Sequence, residues 1–371
     1  MGTGLTATRH SRIDDVAGTG ELFAGAPLYE SPGWLRYCER LSGGRMTYLV
    51  ARDEHGRPVG LTATRIVRPG QVMALYDLGT LFDDPKPAAL YPNVVSAVSG
   101  SHWVDRVLPG IDPAPVRAVL GQELAEGAAE LGCTAAAALY VGEMDSARQL
   151  SVAMGGSPPF VFAAQTVLTG QWSGFDGYVA SLKRSRRNKV RRELRECRES
   201  GIRISVHSGT KALGEDTARL QVALREKYAV GGSVESVLAD YEHLRATVED
   251  RLLVFRAERD GRLLGMSIAL LDGDRLHLRL VGFDYAQELA FLYFNVLFYA
   301  PIEWGSRNGM TSYAFGTGSY PAKLARGCVP APLYAVVRWP DADRAVCEER
   351  ARAHEKALIE ELGIGDGEGN S

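Results

Sequence analysis

Part of this chain occurs twice, and a repeat restricts the possible folds more than any bulk property does. Leu49 to Ile66 (LVARDEHGRPVGLTATRI) and Leu253 to Leu270 (LVFRAERDGRLLGMSIAL) both alternate apolar and polar residues around a polar turn, as two half-buried strands do, and both carry Gly-Arg-x-apolar-Gly. Gly60 aligns with Gly265 at an offset of 205. Further on, Gly132 before TAAAALYV aligns with Gly309 before TSYAFG at 177, and Gly155 to Pro158 before FVFAAQTV aligns with Gly327 to Pro330 before LYAVVRW at 172. The fall from 205 to 177 lies across residues 81–113, where copy one is about 28 residues longer. Order preserved through three matches indicates a duplicated domain. At 371 residues the chain is also longer than one hydrophobic core usually holds.

The shared order is helices, three strands in meander, a helix, a strand, a short helix and a last strand. In copy two the patterns predict a strand at 160–169, helices at 175–200, 212–229 and 234–249, strands at 251–258, 262–271 and 275–282, and a long helix at 288–308. The expected domains are 1–158, which includes the 81–113 insertion, then 159–340, then 341–371, a charged helix with the tail GIGDGEGNS. The fold class is α/β, with helices on both faces of each sheet. The insertion holds Tyr91, His102, Trp103 and Asp105, and reads either as an ordered loop lining an acceptor site or as a mobile segment.

Several classes are excluded by composition. No run approaches the roughly 18 apolar residues of a membrane span, and the N-terminus MGTGLTATRHSRIDD has no apolar signal region, so cytoplasmic residence is expected. Five cysteines without a CxxC pair read as free thiols. Seven histidines without HExxH or paired spacing argue against a metal centre, and none is expected.

Charge is concentrated in one place. Lys183 to Arg198 carries nine Lys or Arg against two Glu, in a chain whose formal net charge is −3. On a helical wheel Arg184, Arg187, Arg191, Arg195 and Arg198 fall within about 80° of one another. Leu182, Val190, Leu194 and Cys197 form an apolar stripe beside them, and Glu193 and Glu196 are spaced to pair with Lys189 and Arg192. The run reads as a solvated helix face or as a site for a polyanion, and segregation of the arginines favours the second.

FDGYVASLKRSRRNKVRRELRECRESGIRISV (Phe175 to Val206), GRLLGMSIALLDGDRLHLRLVGFD (Gly261 to Asp284) and LYFNVLFYAPIEWGSRNGMTSYAFGTGSYPAKLARGC (Leu292 to Cys328) resemble the Fem-type aminoacyltransferases and the related FemAB-like proteins. The resemblance implies two tandem acyl-CoA N-acyltransferase (GNAT)-like domains with mixed central sheets flanked by helices. Acetyltransferases of that fold hold coenzyme A pyrophosphate in an Arg/Gln-x-x-Gly-x-Gly/Ala loop at a helix N-terminus. Here the junction reads VGFDYAQELAFLYF, with Asp284 and Glu288 and no glycine after Gly282, and copy one reads LGTLFDDPKP. By resemblance the acyl donor is instead aminoacyl-tRNA, a co-substrate gripped by the five arginines, with no other cofactor.

Acyl transfer needs a group that stabilises the oxyanion of the tetrahedral intermediate. The resemblance assigns this to a lysine in a Gly…Tyr-x-x-Lys…Gly segment, which places the role on Lys323, with Gly316, Gly318 and Tyr320 shaping the pocket. At offset 172 its counterpart is Ser151, so copy two is the catalytic copy. Asp284 and Glu303 are the candidate bases, Glu303 alternatively orienting Tyr299 or Arg307; the resemblance offers the tRNA's own 2′-hydroxyl or phosphate as the alternative base. No Ser/His/Asp nucleophile set is present. The expected reaction moves an amino acid from aminoacyl-tRNA to an amine or hydroxyl of a small natural-product intermediate or a cell-wall precursor. The alternatives are an N-acyltransferase using acyl-CoA or a carrier-protein thioester, and a non-catalytic nucleic-acid- or glycan-binding tandem fold.

Overall fold

The computed structural model describes residues 4–68, 77–78, 90–96, 100–228, 231–287 and 291–364. In chain order the elements are β1 (Thr6–His10), α1 (Pro32–Leu41), β2 (Met46–Arg52), β3 (Pro58–Val67), β4 (Asn93–Ser96), β5 (Arg106–Val107), α2 (Pro113–Glu130), β6 (Ala135–Val141), α3 (Met144–Met154) and β7 (Phe160–Thr169). There follow α4 (Phe175–Ser181), α5 (Arg184–Glu199), β8 (Arg203–Ser208), α6 (Glu215–Lys227), α7 (Val234–Val248), β9 (Leu252–Arg259), β10 (Arg262–Asp272) and β11 (Arg275–Phe283). Last come α8 (Leu292–Phe294), a π-helical turn Asn295–Tyr299, α9 (Ala300–Arg307), β12 (Ser312–Ala314), α10 (Tyr320–Leu324), β13 (Val329–Arg338) and α11 (Arg344–Leu362).

The chain forms two compact units, one of residues 1–164 with 331–371 and one of 165–330. In the first, the strands run β1-β2-β3-β4-β6-β13, with β5 beside β3. In the second they run β7-β12-β11-β10-β9-β8. The duplication is visible in the pairing. Among the described residues each unit has one parallel neighbour pair, β4 with β6 and β11 with β12, among antiparallel ones. The last strand of each copy is exchanged: β13 pairs with β6 in the first unit, and β7 pairs with β12 in the second.

That exchange moves the unit boundaries from 158/159 and 340/341 into β7 and β13 themselves. The helix expected at 341–371 is part of the first unit. Cys347 and Ala351 of α11 enter its core, and Glu355 accepts the Val161 N–H at 2.6 Å. The tail beyond residue 364 lies outside the described residues.

Strand patterns translate directly where alternation is strong. At the β9–β10 turn Asp260 and Gly261 both have positive φ, 52° and 74°, as a two-residue hairpin matching the strand twist requires. Gly282 on β11 is a close-approach glycine, since a Cβ there would lie 2.8 Å from Leu220 Cβ on α6. The helix expected at 175–200 is broken: Leu182 and Lys183 are extended (ψ 155° and 147°), which gives α4 and α5. The helix expected at 288–308 contains the π turn, and residues 288–290, with Glu288, lie outside the described residues.

Part of the 81–113 insertion is sheet. Its β4 occupies the position in the first unit that β11 holds in the second, and β5 adds to β3. Residues 81–89 and 97–99 lie outside the described residues. Trp103 is buried, His102 Nε2 lies 2.9 Å from Glu30 Oε1, and Asp105 pairs with Arg117 at 2.7 Å, so these residues serve packing and ion pairs. The LGTLFDDPKP junction of copy one, apart from Leu78, lies outside the described residues.

Candidate active site

After β12 the chain turns through Gly316 (φ 75°), Gly318 (φ 76°) and Ser319 (φ 50°) before α10. Left-handed backbone at 316 and 318 is the reason for the two glycines. Thr166 of β7 holds the turn, because its N–H and Oγ1–H both donate to the Gly316 carbonyl, at 3.2 and 2.7 Å, while Phe315 N–H donates back to Thr166 O at 2.9 Å.

This turn receives Lys323. The side chain is 3% exposed, and Nζ donates to Gly316 O at 3.0 Å and Thr317 O at 3.2 Å. Burial lowers its pKa from 10.5 to about 8, so the amine is still largely protonated at neutral pH. An ammonium has three donors, and the two carbonyls leave one for another acceptor. Neighbouring Cys328 is pushed by burial up to about 12, which keeps it a thiol and a poor nucleophile. At the corresponding place in copy one, Ser151 Oγ donates to Ser157 O at 2.8 Å, a structural bond.

Beneath α10 is a buried charge pair that the sequence reading did not assign. Arg326 Nη2 lies 2.7 Å from Glu193 Oε2, with the side chains 3% and 0% exposed. Arg326 Nε donates to Tyr299 Oη at 3.0 Å, Nη1 donates to Ala322 O at 2.8 Å, and the guanidinium stacks 3.2 Å from the Phe294 ring centroid. Tyr299 hydrogen-bonds the same Glu193 oxygen; burial, with Glu193 next, raises its phenol. The pairing of Glu193 with Lys189 is therefore replaced: Glu193 faces inward at the register of Val190 and Cys197, which are buried beside it. Its spacing of three and four residues from them was the available signal. Glu196 does lie 3.7 Å from Arg192.

Of the arginine row, Arg184, Arg191, Arg195 and Arg198 are exposed and Arg187 is half-buried. Arg195 lies 3.9 Å from Glu199; among the described residues the other four have no carboxylate salt bridge. The remaining predicted residues divide between two cavities. Asp284 borders one of about 810 Å³, together with Ser319 and Ala322 from either side of Tyr320, which is itself buried. Its carboxylate is engaged, with Arg262 at 2.6 Å and the Ala286 N–H at 3.1 Å. Tyr299 and Glu303 border another, of about 500 Å³, with Arg198 and Trp304. Glu303 pairs with Arg307 at 2.7 Å, while Tyr299 turns to Glu193 instead of Glu303. Among the described residues no cluster of His, Cys, Asp and Glu is arranged to hold a metal ion, and no helix is long and apolar enough to cross a membrane.

Two units of this strand order, each with a parallel pair in a mixed sheet flanked by helices, define a tandem GNAT-fold protein. The FemAB-like family model, described as peptidoglycan biosynthesis/recognition, matches residues 89–361. The chain belongs to that family. Among solved structures it is similar to FemX, with 11% identity over 89% of this chain and 96% of that one and a TM-score of 0.56. It is also similar to the C-terminal domain of a putative lysylphosphatidylglycerol synthetase from Agrobacterium fabrum, with 11% identity over 96% and 99% of the two chains and a TM-score of 0.57. A tandem GNAT protein from the clavulanic acid biosynthesis pathway matches with 15% identity over 90% and 98% and a TM-score of 0.50. No curated protein matches.

Proposed function

We propose that this FemAB-like chain is an aminoacyltransferase that takes an amino acid from aminoacyl-tRNA and joins it to an amine or hydroxyl of a small natural-product intermediate or a cell-wall precursor. The observation that carries the reading is Lys323, a buried ammonium held by Gly316 O and Thr317 O with one donor left over. When the acceptor attacks the ester carbonyl, negative charge develops on one oxygen, and a positioned cation stabilises it more than it stabilises the neutral ester. Collapse expels the tRNA ribose hydroxyl, which takes a proton, and the acceptor nitrogen or oxygen releases one. Asp284, tied to Arg262, is a weaker candidate for that base than the substrate's own groups.

Charge supports that donor. The arginine row of α5 presents cations to a phosphate backbone, and such contacts give a steep salt dependence. The turn after β11, where a coenzyme pyrophosphate would sit in an acetyltransferase, has its Asp284, Ala286 and Gln287 N–H groups engaged by Leu264 O, the Asp284 carboxylate and Asp284 O. It also carries that carboxylate, which disfavours an anion. The reading includes a cytoplasmic location, where charged tRNA is found. The test is transfer of labelled amino acid from a pool of charged tRNAs to a small-molecule extract. The account expects ribonuclease pretreatment to abolish it. Transfer that survives ribonuclease and requires an acyl thioester would replace this reading with the coenzyme A or carrier-protein one. Binding without any transfer would leave a non-catalytic fold.

A further inference from the structure

The cavity of about 500 Å³ lies wholly within the second unit. Ile204 and Val206, alternate residues of β8, border it from the sheet, Leu194 borders it from α5, and Ala300 and Trp304 border it from α9. All five are half-buried, so apolar surface stays open around the cavity. A further wall is the π turn, which is pinned to α5 at two points: Asn295 Nδ2 donates to Glu193 O at 3.2 Å, and Tyr299 hydrogen-bonds the Glu193 carboxylate. The cavity is therefore preformed, its volume falls within the range of small-ligand sites, and π-helical turns recur at functional sites.

Two polar groups at this cavity lack partners. The Arg198 guanidinium and the Trp304 indole N–H make no ion pair or hydrogen bond among the described residues. The other polar groups at the rim are matched, since Glu303 pairs with Arg307 at 2.7 Å and the Asn308 amide donates to Trp304 O at 2.7 Å. One unmatched cation and one spare N–H beside apolar walls are the complement of a molecule with a hydrophobic body and a single oxyanion. A guanidinium offers a planar fork that a carboxylate accepts. A phosphate dianion would carry one charge more than Arg198 matches and would face Glu303, and an ammonium would face Arg198.

We propose that this cavity binds a small apolar monocarboxylate, its hydrocarbon or aromatic body against Ile204, Val206 and Trp304 and its carboxylate on Arg198, with the Trp304 N–H as a second donor. The site holds whichever acyl donor the protein uses, because its ligand is neither the acyl group nor the group that carries it. Arg198 ends the arginine row of α5, so an occupant withdraws one cation from that row and leaves Arg184, Arg187, Arg191 and Arg195 as they are.

The probe is 1-naphthaleneacetate, titrated by calorimetry beside 1-naphthaleneethanol, which has the same rings and no charge. The wild-type chain should bind the acid at one site with a dissociation constant below about 1 mM and the alcohol about ten-fold more weakly. Arg198→Ala, a change at an exposed side chain, should bring the acid down to the alcohol's affinity and leave the alcohol unchanged. Ile204→Trp should fill the cavity and abolish binding of both, and the Arg198→Ala comparison decides alone should that variant fail to fold. Lys227→Ala, at the edge of the cavity of about 810 Å³, should bind both compounds like the wild type. No saturable binding of the acid by the wild type below about 1 mM, or equal affinities for acid and alcohol, would overturn the site. So would acid binding unchanged in Arg198→Ala, acid binding retained by a folded Ile204→Trp, or acid binding lost in Lys227→Ala instead.

Discussion

Replacing Lys323 by methionine should make the protein more stable and inactive together. The side chain is 3% exposed, and burial lowers its pKa from 10.5 to about 8. At about 1.4 kcal/mol per pH unit, holding the charged amine in the folded state costs about 3 kcal/mol at pH 7. Methionine has nearly the same volume and no charge. The two hydrogen bonds lost are partly replaceable, because Gly316 O keeps both donors from Thr166. Thr317 is half-buried and near water, so its carbonyl loses about 1 kcal/mol. The net expectation is a gain of about 2 kcal/mol for Lys323→Met at pH 7, read from urea unfolding. The pH dependence carries the sign. Below about 8 the amine is protonated folded and unfolded, and the penalty is full; between about 8 and 10.5 only the unfolded chain holds the proton, so wild-type stability rises with pH and the variant's advantage shrinks. A variant less stable than the wild type at pH 7, or an advantage that does not change between pH 7 and 10, would refute the reasoning.

The buried pair predicts the opposite response. Glu193→Ala strands Arg326 without a counter-charge and should cost about 3–5 kcal/mol in urea unfolding, with Glu193→Gln intermediate; a loss below about 1 kcal/mol would deny the pair its structural role. In Arg191→Ala combined with Arg195→Ala, the plot of log affinity for tRNA against log salt should become shallower by about 2 units, and an unchanged slope would move the phosphate contacts elsewhere. Gly282→Ala should cost about 1–3 kcal/mol, since its Cβ would meet Leu220 Cβ at 2.8 Å and the Leu220 carbonyl carbon at 2.9 Å; stability equal to wild type would mean α6 yields there freely. Because an oxyanion donor must be protonated, single-turnover rates should decline as pH passes about 8, and Lys323→Arg should move that limb to higher pH while slowing the reaction.

The duplicated fold was legible because its signals are local: alternation in the β9–β10 hairpin, Gly-Arg-x-apolar-Gly in both copies, and glycines at positive φ such as Gly261 and Gly316. Strand exchange was not legible, since FVFAAQTV and LYAVVRW are apolar runs that carry no mark of which sheet they complete. β1 and β8 were passed over for a similar reason, being short edge strands with few buried positions. In the site, Lys323 and the glycine turn follow from a contiguous segment. Glu193 and Arg326 are 133 residues apart, and only the fold of α5 against α10 joins them. Asp284, just after β11, lines one cavity, while Tyr299 on the π turn and Glu303 on α9 line another, a division that residue spacing alone does not give.

The central claim is that a tRNA-borne acyl group is transferred under the control of Lys323. Single-turnover transfer from a radiolabelled pool of charged tRNAs to an extract acceptor tests it most directly, comparing wild type with Lys323→Met after both are shown to bind tRNA equally. The account predicts that label moves to a ribonuclease-resistant product with the wild type and that the rate collapses with the variant. Transfer at an equal rate by both proteins, or label that moves only when an acyl thioester replaces the charged tRNA, would contradict it.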